Sequence, residues 1–414
     1  MKAAIIGAGI GGLATALSFH EIGLEVEIFE SVPELRSLGV GINLLPHAVR
    51  ELDELGLLDE LRAHSIEPHK LLYCTRHGRE IWNEPRGLAA GYPWPQLSLH
   101  RGELQRILLA AVLGRIGRHR LHLGRRLDRI EESGRRPTVH FADGSSHQAD
   151  LVIAADGIHS AARSQRYPDE GPALWNGSLL WRALVDAEPI LDGRTMIWAG
   201  FPDQKFVAYP IGDLEHGKQW LNIVAELRMP DSELGRSEDW NRRGNLDDVL
   251  PAFLDWRFDW LDVPGTLKAT DDLYVFPMVD REPLPRWTFG RTTLLGDAAH
   301  PMYPIGSNGA SQAILDARVL AGCLRRHEDD VDAALGHYEE ARRPATAAIV
   351  RANRGLGPEV PMKLVDERAP DGFADIAEVI TPEEIEQVTE DYRRTAGFAL
   401  AALKSRPSLI DDPY

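Results

Sequence analysis

A chain of 414 residues with 46 lysines and arginines against 63 acids carries a formal charge of −17, which excludes the basic face a nucleic-acid partner requires. Hydrophobic residues make up 43% and charged residues 26%, the balance of a globular chain with length for two or three domains and a sizeable core. Two cysteines, Cys74 and Cys323, lie far apart and in no metal or redox spacing, so a reduced, cytoplasmic protein is expected.

The chain opens on an apolar strand, Lys2–Ile6, followed by Gly7-Ala8-Gly9-Ile10-Gly11-Gly12 and helical spacing over 13–23. A second strand, Glu25–Phe29, ends in Glu30. Glycines at these intervals have separate tasks: Gly7 makes the tight turn, Gly9 lets backbone approach a pyrophosphate, and Gly12 lets helix pack on strand. Glu30 stands 23 residues after Gly7, where an acid reaches both ribose hydroxyls. Strand, turn, helix, strand and acid together predict a bound adenine dinucleotide. The carboxylate disfavours a 2′-phosphate, which suits NAD or FAD better than NADP. The apolar run 3–19 belongs to this unit and not to a secretion signal, since its glycines lead into a second strand without a cleavage site. No other stretch reaches the ~18 apolar residues of a membrane helix.

Gly39-Val40-Gly41-Ile42-Asn43 is a glycine-punctuated connection into a helix over 48–55. His100-Arg101-Gly102-Glu103-Leu104-Gln105 starts an amphipathic helix through Val112. An arginine in a helix's first turn is badly placed for the dipole, and a phosphate partner or a pairing with Glu103 would each explain it. Arg115, Arg118, Arg120, Arg125, Arg126 and Arg129, interleaved with Leu and Ile, read as a solvated helix and strand face. Strands over 121–132 and 138–141 form a small hairpin turned at Asp143-Gly144. Another buried strand ends in Ala155-Asp156-Gly157, where Asp156 taken alone is a turn former or helix cap.

From about 174 to 274 the texture changes to period-two stretches rich in Trp, Val and Ile, over 178–185, 195–199, 206–210 and 220–226. They predict a mostly antiparallel sheet inserted into an α/β domain. Residues 239–260 read as a helical pair, with Trp240, Trp256 and Trp260 as packing groups. Then comes Leu294-Leu295-Gly296-Asp297-Ala298-Ala299-His300-Pro301, followed by Gly306-Ser307-Asn308-Gly309-Ala310-Ser311-Gln312. An acid sits at a strand's carboxyl end, and a Gly/Ser/Asn turn opens a helix over 312–324 whose positive end faces something electron-rich. Helices over 333–343 and 345–353 flank Pro344, Gly355, Gly357 and Pro358 break the pattern, and an acidic helical tail over 383–404 reads as a cap or dimer contact.

Three ordered motifs, Gly7-x-Gly9-x-x-Gly12, Ala155-Asp156-Gly157 and Gly296-Asp297-Ala298-Ala299-His300-Pro301, resemble the single-component FAD-dependent aromatic hydroxylases, the class typified by p-hydroxybenzoate and salicylate hydroxylases. The likeness runs to about Asn353. Within the class, residues 38–43, 100–105, 238–251, 276–280 and 308–312 are most similar to phenazine hydroxylases acting on 5-methylphenazine-1-carboxylate. Pattern and resemblance together imply a Rossmann-like FAD-binding domain of 1–173 and 275–355, an inserted β-sheet substrate domain of 174–274, and a C-terminal helical segment of 356–414.

The resemblance further implies that Gly7, Gly9, Gly12 and Glu30 hold the ADP half of FAD, with Gly41 in the cofactor set. Arg101 would contact pyrophosphate or ribityl, and Asp297 the ribityl and pyrophosphate region. Asn308 and Gly309 would offer backbone N–H groups to the flavin pyrimidine edge, and Asp156 would serve both FAD and the nicotinamide nucleotide. The sequence has no second G-x-G-x-x-G, so NADH or NADPH would bind transiently as reductant. The implied reaction hydroxylates an electron-rich aromatic or N-heteroaromatic ring, such as a phenazine or aromatic carboxylate, with or without decarboxylation, through a flavin C4a-hydroperoxide and without a metal.

Pocket candidates are His47 as base or phenol contact, against a surface or capping role; Arg182 as partner of a carboxylate, against a solvent-facing role; and Tyr209, Tyr303 and Pro304. The alternative activity is a flavoprotein reductase or dehydrogenase with a non-oxygen acceptor. Expected partners are a small aromatic substrate and O2, with no nucleic acid and no membrane, in a monomer or homodimer.

Overall fold

The computed structural model describes residues 1–35, 39–132, 134, 136–201, 203–229, 232 and 242–413. Ala3 to Ile6 are at most 2% exposed and lie inside a six-stranded sheet. Its order is Thr288–Phe289, Thr292–Leu294, Leu151–Ala154, Lys2–Ile6, Glu25–Phe29 and Leu121–His122. All its pairings are parallel except the one between Thr288–Phe289 and Thr292–Leu294. Near-continuous apolar strands are what a sheet covered on both faces demands. Helix Ile10–Glu21 packs on both Arg101–Arg115 and Gly309–Arg326, and Leu13, Leu17, Leu108 and Leu320 join one core there.

Period-two alternation produces a second sheet of seven strands, in the order Tyr274–Asp280, Leu174–Ala187, Gln219–Arg228, Gln204–Asp213, Thr195–Ala199, Lys70–Cys74 and Glu80–Pro85. It is antiparallel apart from the pairing of Thr195–Ala199 with Lys70–Cys74. Two of its strands therefore come from the early chain. One face packs on Phe253, Trp256, Val263 and Leu267. The other presents Met196, Trp198, Tyr209 and Ile211 in a cluster with Met362, Val365 and Ile385 of the C-terminal segment.

Several elements differ from the expected ones. The helix expected over 312–324 is Gly309–Arg326, so its first turn includes the glycine of the preceding motif. Leu121–His122 joins the parallel sheet; Leu127–Glu131 pairs with Thr138–Phe141 as expected, but the turn at Asp143-Gly144 joins Thr138–Phe141 to a third strand, Ser146–Gln148. Residues 239–241, with Trp240, and Leu38 lie outside the described residues. The remainder of the expected helical pair is one turn, Leu246–Val249, a tighter turn, Leu250–Phe253, and a hairpin of Arg257–Phe258 with Leu261–Asp262. Pro251 removes the N–H that would have continued that helix.

Pro344 has the opposite outcome, because Val331–Arg354 runs through it as a single helix of 24 residues. A proline inside a helix costs about 3 kcal/mol. Leu335 and Tyr338 before it, and Ile349 and Val350 after it, are all buried, and each such side chain contributes about 1.5–3 kcal/mol. Packing on both sides outweighs the break. The tail is two helices, Pro382–Thr395 and Leu400–Ser405.

Candidate functional site

Two strand–turn–helix units face one groove. Gly9, Ile10 and Gly11 line one end, Ser307, Asn308 and Gly309 the other, and Gly41, Arg101, Gly157, Asp297, Arg182 and Pro304 its walls. At the first end, a methyl group on Gly7 would lie 2.4 Å from Ala155 O, and one on Gly12 would lie 2.0 Å from Gly7 O. Both positions are closed to any larger side chain. A methyl on Gly9, in contrast, would meet nothing within 4 Å, so the backbone there is open to the groove. Glu30 is fixed beside this turn, accepting from Ala8 N at 2.8 Å and Val32 N at 3.0 Å. An open backbone face for phosphate and a fixed acid for ribose fit the ADP half of FAD.

At the second end, Asp297 reaches into the groove while protein surrounds it on its other sides. Burial raises its carboxyl above the ordinary value, opposed by His300 and Arg101. Behind it, His300 Nε2 meets Asp316 Oδ2 at 2.5 Å and Arg342 Nε donates to Asp316 Oδ1 at 2.7 Å. Burial works to raise Asp316, but His300 and Arg342 outweigh it and hold the carboxyl at about 2. Arg342 also donates to Gln312 Oε1 at 2.6 Å, and Gln312 Nε2 donates to Asn308 Oδ1 at 3.3 Å. A buried ionic chain thus fixes the first turn of the Gly309–Arg326 helix, whose N-terminus carries partial positive charge into the groove.

Asp156 is half-buried, and its carboxylate accepts from Ser160 Oγ at 2.6 Å and Ala161 N at 2.8 Å. That is the capping role read from the residue alone; Ala155 and Gly157, on either side of it, line the groove. Arg163, from the same segment, donates to Ala299 O at 3.0 Å and joins this motif to the Asp297 turn.

Of the pocket candidates, Arg182, Tyr209 and Pro304 line the groove. Arg182 does not point to solvent: it donates to Gly41 O at 2.9 Å and shares a hydrogen bond with Tyr209. Burial lowers its pKa, with Arg101 adding to the effect and Tyr209 opposing it. Two candidates lie elsewhere. Tyr303 packs with Leu180, Met278 and Ile305 behind the wall. His47 is neither on the surface nor in the groove; it is fully buried, stacked on Phe398 at 5.4 Å, with Nε2 3.3 Å from Gln312 Nε2. Burial, with Arg406 and Arg342, lowers its pKa to about 3, so the imidazole is neutral.

Side chains that sequence reading did not single out complete the site. Tyr392 of the tail accepts from Asn308 Nδ2 at 2.8 Å and donates to Asn353 Oδ1 at 2.9 Å. Asn222 accepts from Gly41 N at 2.6 Å. A narrow cavity bounded by Trp198, Met196 and Phe398 touches the groove at Ser307. No local spacing marks these residues, because each acts across the fold. Among the described residues there is no cluster of side chains suited to a metal, and no helix is long and apolar enough to cross a membrane.

Comparison with known proteins adds to this geometry. An FAD binding domain model matches residues 1–225 and 266–353. The chain is 47% identical over 360 residues to the phenazine 1,6-dicarboxylic acid hydroxylase PhzS of Lysobacter antibioticus, covering 84% of this chain and 88% of that protein. It is 32% identical over 421 residues to the 3-amino-4-hydroxybenzoate 2-monooxygenase PtnB3 of Streptomyces platensis, with 98% of each covered. Among solved structures, Klebsiella pneumoniae HpxO complexed with FAD and uric acid aligns with a TM-score of 0.75 at 25% identity, over 98% of this chain and 97% of that one. A salicylate hydroxylase substrate complex shares the fold, with a TM-score of 0.74 at 24% identity over 96% of this chain and 98% of that one.

Proposed function

The chain belongs to the FAD binding domain family and is an FAD-dependent aromatic monooxygenase, and we propose that its substrate is a planar aromatic acid of the phenazine-carboxylate type. The three ordered motifs pointed to this class. A reductase with a non-oxygen acceptor is not favoured, since the similar proteins are hydroxylases and monooxygenases. The observation that carries the substrate reading is the wall of the groove itself, where Arg182 and Tyr209 stand with Met302 and Pro304. An aromatic side chain and a guanidinium on one wall suit a planar acid. The likeness to a phenazine dicarboxylate hydroxylase supports the same class.

Bound FAD, reduced by NADH or NADPH, supplies the redox and oxygen-activating chemistry. In this reading Gly7, Gly9, Gly12 and Glu30 hold the ADP half, Arg101 and Asp297 the middle, and Asn308 and Gly309 the pyrimidine edge. The N-terminus of Gly309–Arg326 stabilises negative charge developing at that edge, and the ionic chain through Asp316 and Arg342 keeps it in place. Tyr209 and Pro304 bound the ring from the sheet side. Packing of the tail against the sheet excludes water from the reacting centre. Cytoplasmic residence is part of the proposal, supported by two buried free thiols, Cys74 and Cys323.

The test is oxygen and NAD(P)H consumption by the flavin-loaded protein with phenazine carboxylates, hydroxybenzoates and neutral phenols. A phenazine carboxylate should accelerate NAD(P)H oxidation and gain one oxygen by mass spectrometry. Acceleration by neutral phenols alone overturns the substrate class.

A further inference from the structure

Asn308 opens the helix Gly309–Arg326 and does not cap it. An asparagine in this position ordinarily turns its side-chain oxygen onto the free N–H groups of the first turn. Here the side chain is fully buried and held the other way. Nδ2 donates to the Tyr392 hydroxyl at 2.8 Å and to Gly306 O at 3.1 Å, and Oδ1 accepts from Gln312 Nε2 at 3.3 Å. The Tyr392 hydroxyl donates in turn to Asn353 Oδ1 at 2.9 Å, and Asn353 Nδ2 donates to Tyr303 O at 3.1 Å.

Tyr392 comes from the tail helix Pro382–Thr395, outside the segments matched by the FAD binding domain model. It is 6% exposed, and its neighbour in the chain ties it to the sheet. Arg393 donates to Glu84 Oε1 at 2.8 Å, at the end of strand Glu80–Pro85, and Arg86 Nη2 stands 2.9 Å from the same carboxylate. The loop held by Tyr392 is strained, since Ser307 has φ +58°, in the left-handed region that a residue with a β-carbon seldom adopts. Released from the tyrosine, the Asn308 amide has one local way to regain its hydrogen bonds, which is to cap its own helix. In that position it competes for the donors of a turn whose residues Asn308, Gly309 and Ala310 line the groove.

We propose that Tyr392 is a positioning residue that keeps Asn308 from capping its own helix and so reserves the first-turn N–H groups for the flavin's pyrimidine edge. The proposal rests on the placement of that edge at this helix. These donors matter most to the reduced flavin, which carries negative charge there, so the arrangement favours reduction more than it favours binding.

The experiment is the two-electron reduction potential of bound FAD, by equilibration with a reference dye, in wild type, Tyr392→Phe, Asn308→Ala, the double variant and Ala310→Asp. Phenylalanine keeps the ring and removes the hydroxyl, which frees the amide to cap. The preference for the reduced form should fall roughly 3- to 10-fold, or about 15–30 mV for a two-electron couple, while oxidised FAD stays bound through gel filtration. Asn308→Ala has no amide to swing, so it should keep the wild-type potential, and Tyr392→Phe should add nothing to it. A tyrosine that only packs would lower thermal stability and leave the potential unmoved, which overturns the proposal. An equal fall for Tyr392→Phe in the Asn308→Ala background also overturns it, since the hydroxyl would then act without the amide.

Ala310→Asp tests the placement itself by adding a negative charge to the first turn, beside the groove. A lower potential there, with none in Tyr392→Phe, leaves the placement standing and overturns the role of Tyr392. No shift in Ala310→Asp removes the placement and the proposal with it.

Discussion

At the Gly7–Gly12 turn the contacts that matter are backbone against backbone, 2.0–2.4 Å from where a methyl group would sit, and they involve consecutive residues and one neighbouring strand. At the cavity beneath the tail every decisive contact is side chain to side chain, and Glu84 and Arg393 are 309 positions apart. The first region is built by sterics, so Gly7 and Gly12 tolerate no larger side chain, and the distant chain enters it through the backbone of Ala155. The second is built by charge balance, so it depends on how firmly the tail is held.

The largest effect is expected where the tail is anchored. Lys205 is 4% exposed, with Nζ 2.8 Å from Glu226 Oε2 and 2.7 Å from Glu359 Oε1. Lys205→Met leaves two carboxylates buried together and should cost about 3–5 kcal/mol in urea denaturation. Retained flavin with weakened aromatic binding would sharpen the contrast between the regions; a loss below about 1 kcal/mol would break it. Next comes Gly12→Ala, whose added methyl meets Gly7 O; overpacking of this kind costs about 1–3 kcal/mol. Flavin retained through gel filtration should fall sharply there, whereas full retention would mean that the turn is not sterically closed.

The effect smallest at neutral pH belongs to His47, which packs against Gln312 on one side and Phe398 on the other. The unfolded chain protonates this imidazole as pH falls through its ordinary value of 6.5, while the folded one stays neutral down to about 3. Its contribution to stability is therefore complete above 6.5 and is lost progressively below, at up to about 1.4 kcal/mol per pH unit. His47→Asn should flatten the fall in urea midpoint between about pH 6 and pH 4. An unchanged slope would show that other groups set the acid response.

The same contrast explains what could be read from the chain. The parallel sheet, the inserted antiparallel sheet and the cofactor turns follow from local patterns, with glycines, an acid at a fixed distance and strand periodicity each speaking within about thirty residues. Pro344 misled because burial on both sides overrode a local rule. His47 and Tyr303 resembled pocket residues through their neighbours in sequence, yet the fold turns both into core. Glu84-Pro85-Arg86 and Tyr392-Arg393 gave no signal at all: a charge balance appears only when distant segments meet. The pairing of 127–131 with 138–141 was read correctly, but the Asp143-Gly144 turn joins the second of these strands to a third, Ser146–Gln148.

Tyr392 fills the space between two glycines, since a methyl on Gly306 would lie 2.0 Å from its hydroxyl and one on Gly357 2.8 Å from its ring. Its hydroxyl is also the partner of the Asn308 amide at the groove's second end. The order of synthesis then acquires a meaning. Gly12 and Tyr392 are 392 − 12 = 380 residues apart. At roughly 5–20 residues per second, the Gly7–Gly12 turn is made roughly 20–80 s before the residue that holds Asn308 at the groove's other end. During that interval the opposite end of the groove lacks the side chain that holds Asn308.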